Sequence, residues 1–248
     1  MALKLMCVTA HPDDEAGNFG GTLLKYAQRG IETSVICLTP GQAATHRGSA
    51  KSDADLAQAR RRELAAACKL LSVTHCEALN YPDGALDKVD LYSAVADLTG
   101  RIRAAKPEVV MTMGPEGGVT AHPDHSMASL IATLAFHWAA HTIRFPEQLK
   151  QGLSSHRSQK LYYATANFVI PERQPVALAP ITTTIDVTGY VDAKIAAFKL
   201  HTSQAPLFGL FEGIVRQRAA NEHFHLAAAI TPRQAELETD LFAGVSAA

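Results

Sequence analysis

Short apolar runs alternate along this chain with longer amphipathic segments, and glycine- or proline-bearing stretches separate them. Leu3–Ala10 (LKLMCVTA) reads as a buried first strand, and Gly20–Gly30 as a helix closed by a C-terminal glycine. Ile31–Thr39 reads as a second strand, and the small, polar, breaker-rich stretch Gly41–Asp53 as a loop. A long helix follows over Asp53–Leu71, then a third strand, His75–Pro82, that runs into the turn PDGAL. Leu91–Ala105 is helical, Glu108–Gly114 is a fourth strand, Gly114–Asp124 is a glycine-rich loop, and Ser126–Ala140 is the next helix. Strand alternating with helix predicts parallel βα units, hence an α/β fold with a doubly wound, mostly parallel sheet flanked by helices.

Beyond Ala140 the rhythm loosens. Thr142–Lys160 is polar and irregular; Lys160–Ala166 and Thr182–Val187 read as further strands around a proline-containing loop, Pro171–Pro180. A helix is expected from Val191 to about His201 and a short segment near Gly209–Ala219, with the last residues, Phe242–Ala248, fraying. No internal repeat, low-complexity tract or linker interrupts the chain, so residues 1–248 read as a single domain.

Composition narrows the function. With 248 residues, a formal net charge of -1 and no basic run, the chain is not expected to bind nucleic acid or an anionic membrane. No stretch approaches the roughly 18 apolar residues of a membrane helix. The N-terminal apolar run is too short for a signal peptide, so a soluble cytoplasmic protein is expected. The four cysteines form no C-x-x-C pair and read as buried reduced thiols.

Candidate chemistry lies in two clusters. HPDDE (His11–Glu15) follows the first strand and HPDH (His122–His125) lies in the loop after the fourth. Ligands of open α/β sheets sit outside the carboxyl ends of the strands, so both clusters project at one edge. Three adjacent carboxylates repel one another unless something positive sits among them, either a helix N-terminus or a metal ion. A helix dipole suits Glu15, and Pro123-Asp124 can simply open a helix. Two such clusters at one edge favour the metal, and histidine and aspartate are usual zinc ligands in an open three-ligand site. His137 and His141 have i, i+4 spacing but lack the glutamate of H-E-x-x-H, and read as surface residues. Neither G-x-G-x-x-G nor G-x-S-x-G is present, which disfavours a dinucleotide binder and a serine hydrolase. Two alternatives stay open. A metal-dependent phosphoesterase would usually want a second metal and more carboxylates, and a non-enzymatic metal- or sugar-binding protein would not need a free base.

AHPDDE (Ala10–Glu15), a glycine-bearing helix and HPDH together resemble the PIG-L/LmbE-like superfamily of zinc-dependent N-deacetylases. TPGQ (Thr39–Gln42), Arg60-x-x-Glu63, PDG (Pro82–Gly84) and HTSQ (His201–Gln204) support the resemblance. It implies a Rossmann-like, LmbE-like domain that hydrolyses the N-acetyl amide of an N-acetylglucosamine-type substrate, a small amino-sugar conjugate. It further implies one zinc per chain held by His11, Asp14 and His125, Asp13 as general base, and His122, hydrogen-bonded to Asp124, as a second catalytic group that holds the oxyanion when protonated. Some relatives are hexamers, which makes a homo-oligomer an expectation here. Gln42 stands where many members carry glutamate, in a loop expected to touch substrate.

Helical geometry adds one reading. Over Asp53–Leu71, Leu56, Leu64, Ala67, Leu70 and Leu71 fall on one stripe, with Arg60 near its centre, Glu63 within it, and Arg61 and Arg62 on the wet side. A sheet-facing arginine needs a partner or a polar cavity. Either Arg60 and Glu63 form a structural i, i+3 pair, or Glu63 orients Arg60 toward the strand edge, where its donors and Asp83 meet sugar hydroxyls.

Overall fold

In a computed structural model, which describes residues 2–170, 175–218, 220–231 and 237–247, the first strand, β1 (Lys4–Thr9), is buried on both faces. Leu5 and Cys7 enter one core with α1 (Asp14–Gln28), α2 (Asp53–Leu70) and α6 (Val191–Lys199). Met6 and Val8 enter the other core with α3 (Leu91–Ala105) and α4 (Pro123–Ala139). A strand covered on both sides has no polar face to show, which is why its apolar run is unbroken. The remaining strands are β2 (Glu32–Cys37), β3 (His75–Ala78), β4 (Val109–Thr112), β5 (Lys160–Thr165), β6 (Thr183–Asp186) and β7 (Asn221–Ala229); α5 (Pro146–Lys150) and α7 (Phe208–Arg218) complete the set. The sheet order is β3-β2-β1-β4-β5-β7-β6. β1 to β5 pair in parallel, and β7 runs antiparallel between β5 and β6. The expected α/β architecture with a mostly parallel sheet is present.

Five differences from the sequence reading have physical reasons. α1 begins at Asp14, not Gly20, because its glycines serve close packing rather than chain breaking: a Cβ on Gly21 would lie 2.7 Å from Val187 Cβ. α4 likewise starts earlier, at Pro123, with His122 as its N-cap. β7 carried no sequence signal because its polar start and alanine-rich end have weak strand propensity; pairing on both sides compensates. The segment after α4 is ordered around Arg103 of α3, a fully buried side chain that donates to the carbonyls of Ala139, Phe145, His141 and Arg144. The C-terminal stretch does not fray where it was expected to. Leu241 and Phe242 are buried against Tyr26, and Ser246 exchanges hydrogen bonds with Gln159. Residues 171–174 of the loop Pro171–Pro180, and the end of Gly209–Ala219, lie outside the described residues.

Arg61 is a further correction. It does not float in solvent but donates to the carbonyls of Ala78 and Leu79 and to Asn80 Oδ1, tying α2 to the end of the edge strand β3. Arg61→Ala should therefore lower stability by about 1–3 kcal/mol, a Tm drop of several degrees, with kcat unchanged. Thermal unfolding followed by circular dichroism checks this, and an unchanged Tm would mean that water replaces the guanidinium without cost.

Candidate active site

The strand order reverses at β1 and β4, and the crevice beyond their carboxyl ends is where an open α/β sheet places a ligand. Residues 10–15 leave β1 there, and the loop from β4 delivers His122–His125 to the start of α4. The ring centroids of His11, His122 and His125 lie 4.7 to 5.3 Å apart, so the two histidine clusters meet. Gly117 shapes the delivering loop: at φ +87° its missing Cβ would sit 2.6 Å from the His122 carbonyl.

Asp14 lies between two imidazoles. His125 Nε2 is 3.1 Å from Asp14 Oδ1, and His11 Nδ1 is 3.6 Å from Asp14 Oδ2. The other nitrogen of each ring is engaged behind it. His125 Nδ1 donates to the Gly117 carbonyl at 3.2 Å, and His11 Nε2 faces Asp83 Oδ1 at 3.0 Å and Asp124 Oδ2 at 3.2 Å. Such bonds fix a tautomer and turn the opposite lone pair inward, as they do in metal-bound histidines. Burial works against charge on Asp14, but His125 and His11 outweigh it and hold its carboxyl well below the usual range. The donor atoms of His11, His122 and His125 lie within 4.8 Å of one another, as do those of His11, Asp83 and Asp124. In the second group the Asp124 carboxylate already accepts from Gly84 N and Leu86 N, so it is less free to ligate.

Asp13 is placed differently from its neighbour. Its backbone lies at φ 113°, and its carboxylate accepts from Arg60 Nη2 at 2.9 Å. Burial lifts its pKa to about 6 against the pull of Arg60. Arg60 is itself buried, and donates as well to the carbonyls of Pro12 and Gly41. Glu63 does not pair with it: that carboxylate takes Thr202 Oγ1 and the backbone and hydroxyl of Ser203. The Arg60–Glu63 pair expected from helical spacing is thus absent. The two side chains take different partners, and the fork of Arg60 is spent on the protein rather than left for sugar hydroxyls.

His122 also departs from expectation. The Asp124 carboxylate turns to Gly84, Leu86 and His11, and only the Asp124 backbone N–H reaches His122, donating to Nδ1 at 3.2 Å. An accepting Nδ1 leaves the proton on Nε2 of a neutral ring. Burial and the nearby His11 and His125 push the His122 pKa down, so the imidazolium expected from an Asp124 partner is disfavoured. Asp83 accepts from Ala43 N at 2.7 Å besides facing His11, and Gln42 Oε1 has no partner among the described residues. His137 and His141 lie on the surface, away from this cluster. The sequence reading gave no role to His201, whose ring reaches Glu15 at 2.7 Å with both side chains fully buried. HTSQ was visible as a motif, but its partners are set only by tertiary packing.

Comparison with known proteins fits this geometry. Residues 6–136 match the family model described as PIG-L, GlcNAc-PI de-N-acetylase. A 1D-myo-inositol 2-acetamido-2-deoxy-alpha-D-glucopyranoside deacetylase from Thermobispora bispora is 30% identical over 98% of each chain. The solved N,N'-diacetylchitobiose deacetylase of Pyrococcus horikoshii superposes with a TM-score of 0.77 at 24% identity, covering 93% of this chain and 87% of that one. A 4-carboxy-2-hydroxymuconate hydratase from Pseudomonas putida shares the fold too, with a TM-score of 0.67 at 22% identity over 94% and 98% of the two chains. The fold alone therefore does not choose the chemistry. The family match, the full-length similarity to a sugar deacetylase and the His/Asp cluster at the switch point agree: the chain belongs to the PIG-L, LmbE-like family, and is a deacetylase, an amide hydrolase.

Proposed function

We propose that the protein removes the acetyl group from a small N-acetylglucosamine conjugate, with one zinc held by His11, Asp14 and His125. The observation that carries this reading is Asp14 set between two imidazoles whose outer nitrogens are both engaged. Two nitrogens and one carboxylate oxygen are a zinc donor set that leaves a position open. Bound there, zinc would polarise the amide carbonyl and lower the pKa of a coordinated water to about 7.

The chain's own groups supply the rest. Asp13 takes a proton from the attacking water, a role worth ~10²–10⁴-fold. Arg60 holds that carboxylate toward the cluster. The His122 Nε2–H is the donor available to the developing oxyanion, since Nδ1 is occupied. When the C–N bond breaks, acetate departs and Asp13 returns the proton to the amine nitrogen. Asp124 acts behind His11, orienting that ligand. Asp83 and Gln42, in the loops after β3 and β2, are the groups proposed to meet sugar hydroxyls: the Asp83 carboxylate accepts from Ala43 N, and Gln42 Oε1 has no partner among the described residues. The free thiols Cys7, Cys37, Cys68 and Cys76 suit a reducing cytoplasm. Among the described residues no helix is long and apolar enough to cross a membrane, which fits a water-soluble conjugate.

His122→Ala should keep its zinc and lower kcat by about 10²–10³-fold, the effect of removing one oxyanion donor. Metal analysis beside steady-state kinetics measures both. Unchanged kcat in the metal-loaded variant would remove His122 from the reaction. Substrate class is tested by acetate release from N-acetylglucosamine carrying inositol, a second sugar, or nothing at the anomeric carbon. Higher kcat/KM for the conjugates is expected, and equal values for free N-acetylglucosamine would overturn the conjugate reading.

A further inference from the structure

We propose that His201 is a positioning residue for the general base: through Glu15 it holds the Asp13 backbone in the conformation that aims its carboxylate. The inference rests on the reading of Asp13 as the base.

Asp13 is a non-glycine residue at φ 113°, ψ -26°, a strained conformation that persists only where the surroundings fix it. The contact that meets its backbone N–H is Glu15 Oε2, at 2.9 Å. Glu15 Oε1 is held in turn by His201 Nε2 at 2.7 Å. Neither Glu15 nor His201 is exposed at all, so water cannot stand in for either partner. His201 Nδ1 has no partner among the described residues. A carboxylate oxygen can only accept, so Nε2 is the nitrogen that carries a proton and donates it to Glu15. Without that donor a buried carboxylate oxygen is left unmatched, and Glu15 has reason to turn away from Asp13.

The segment carrying His201 is anchored on every side. Thr202 and Ser203 bond Glu63 on α2, one turn from Arg60, and Gln204 donates to the His46 carbonyl in the loop after β2. His201 therefore reaches α1 from a fixed base. Arg60 grips the Asp13 side chain from α2, and the His201–Glu15 pair grips its backbone from the other side.

The test compares His201→Phe, which fills the volume without a donor, with His201→Gln, whose amide can donate where Nε2 does. Lys194→Met serves as a control. Lys194 is buried on α6 and bonds Glu222, which accepts from Gly21 N and Thr22 N inside α1, away from Asp13. In zinc-loaded protein, His201→Phe should lose at least tenfold in kcat per bound zinc, with KM for the N-acetylglucosamine conjugate unchanged, and His201→Gln should recover most of it. Lys194→Met should lose about 10 °C in Tm and keep its kcat. In metal-free protein, amide hydrogen exchange at Asp13 should quicken in His201→Phe and stay slow in His201→Gln. If His201→Phe matches wild-type kcat per zinc, or if it falls in Tm alone as Lys194→Met does, the positioning role is overturned. Failure of the underlying reading shows separately, as full kcat in Asp13→Asn while the Asp13 amide still responds to His201→Phe.

Discussion

Asp13→Asn should keep its zinc and lose about two to four orders of magnitude in kcat. The substitution preserves shape, and its carboxamide oxygen can still accept from Arg60 Nη2, so the wall of the site stays assembled. Arg60 also keeps the carbonyls of Pro12 and Gly41, which limits the cost of facing a neutral partner. What disappears is a carboxylate able to take a proton. Asp14→Asn should behave in the opposite order, losing metal first, because Asp14 stands between His11 and His125 while Asp13 faces Arg60. Metal content per chain, measured beside kcat, separates the two. If Asp13→Asn is the variant that loses zinc and Asp14→Asn keeps it, the roles of the adjacent aspartates are reversed.

His125→Ala should leave zinc stoichiometry near zero after dialysis and abolish turnover. Changes behind a ligand already cost about 10–100-fold in metal affinity, and removal of the ligand itself exceeds that. The side chain is buried, its Nδ1 tied to the Gly117 carbonyl and its Nε2 aimed at Asp14, so the variant loses one of the two imidazoles that flank that carboxylate. His137→Ala, on the exposed face of the same helix, should keep full zinc and full activity. Zinc retained in His125→Ala would shift the metal toward the His11, Asp83 and Asp124 group.

Much of this was legible in the residues themselves. The unbroken apolar run of β1 and the alternation of strand and helix through Ala140 announce a doubly wound sheet, and that topology brings His11 and His125 to one crevice. Burial of Arg60 also follows from its place on the apolar stripe of α2. Its partner did not follow. Spacing offers Glu63, but the carbonyls of Pro12 and Gly41 and the Asp13 carboxylate come from two other segments, and only packing chooses among them. The same limit explains Asp124. Adjacency suggests a partner for His122, whereas the helix start turns the carboxylate to Gly84, Leu86 and His11. Glu15 looks in sequence like an acid at a helix N-terminus, and its tie to His201 spans almost the whole chain. β7 needed two flanking strands to become a strand at all.

The most direct measurement is product analysis with zinc-loaded protein and an N-acetylglucosamine conjugate. Acetate and a new primary amine should form in equal amounts, stop on chelation and resume when zinc is restored, with no phosphate released from phosphorylated sugars. Absence of acetate from every such conjugate at full zinc occupancy, or release of phosphate instead, would contradict the assignment of this site to amide hydrolysis.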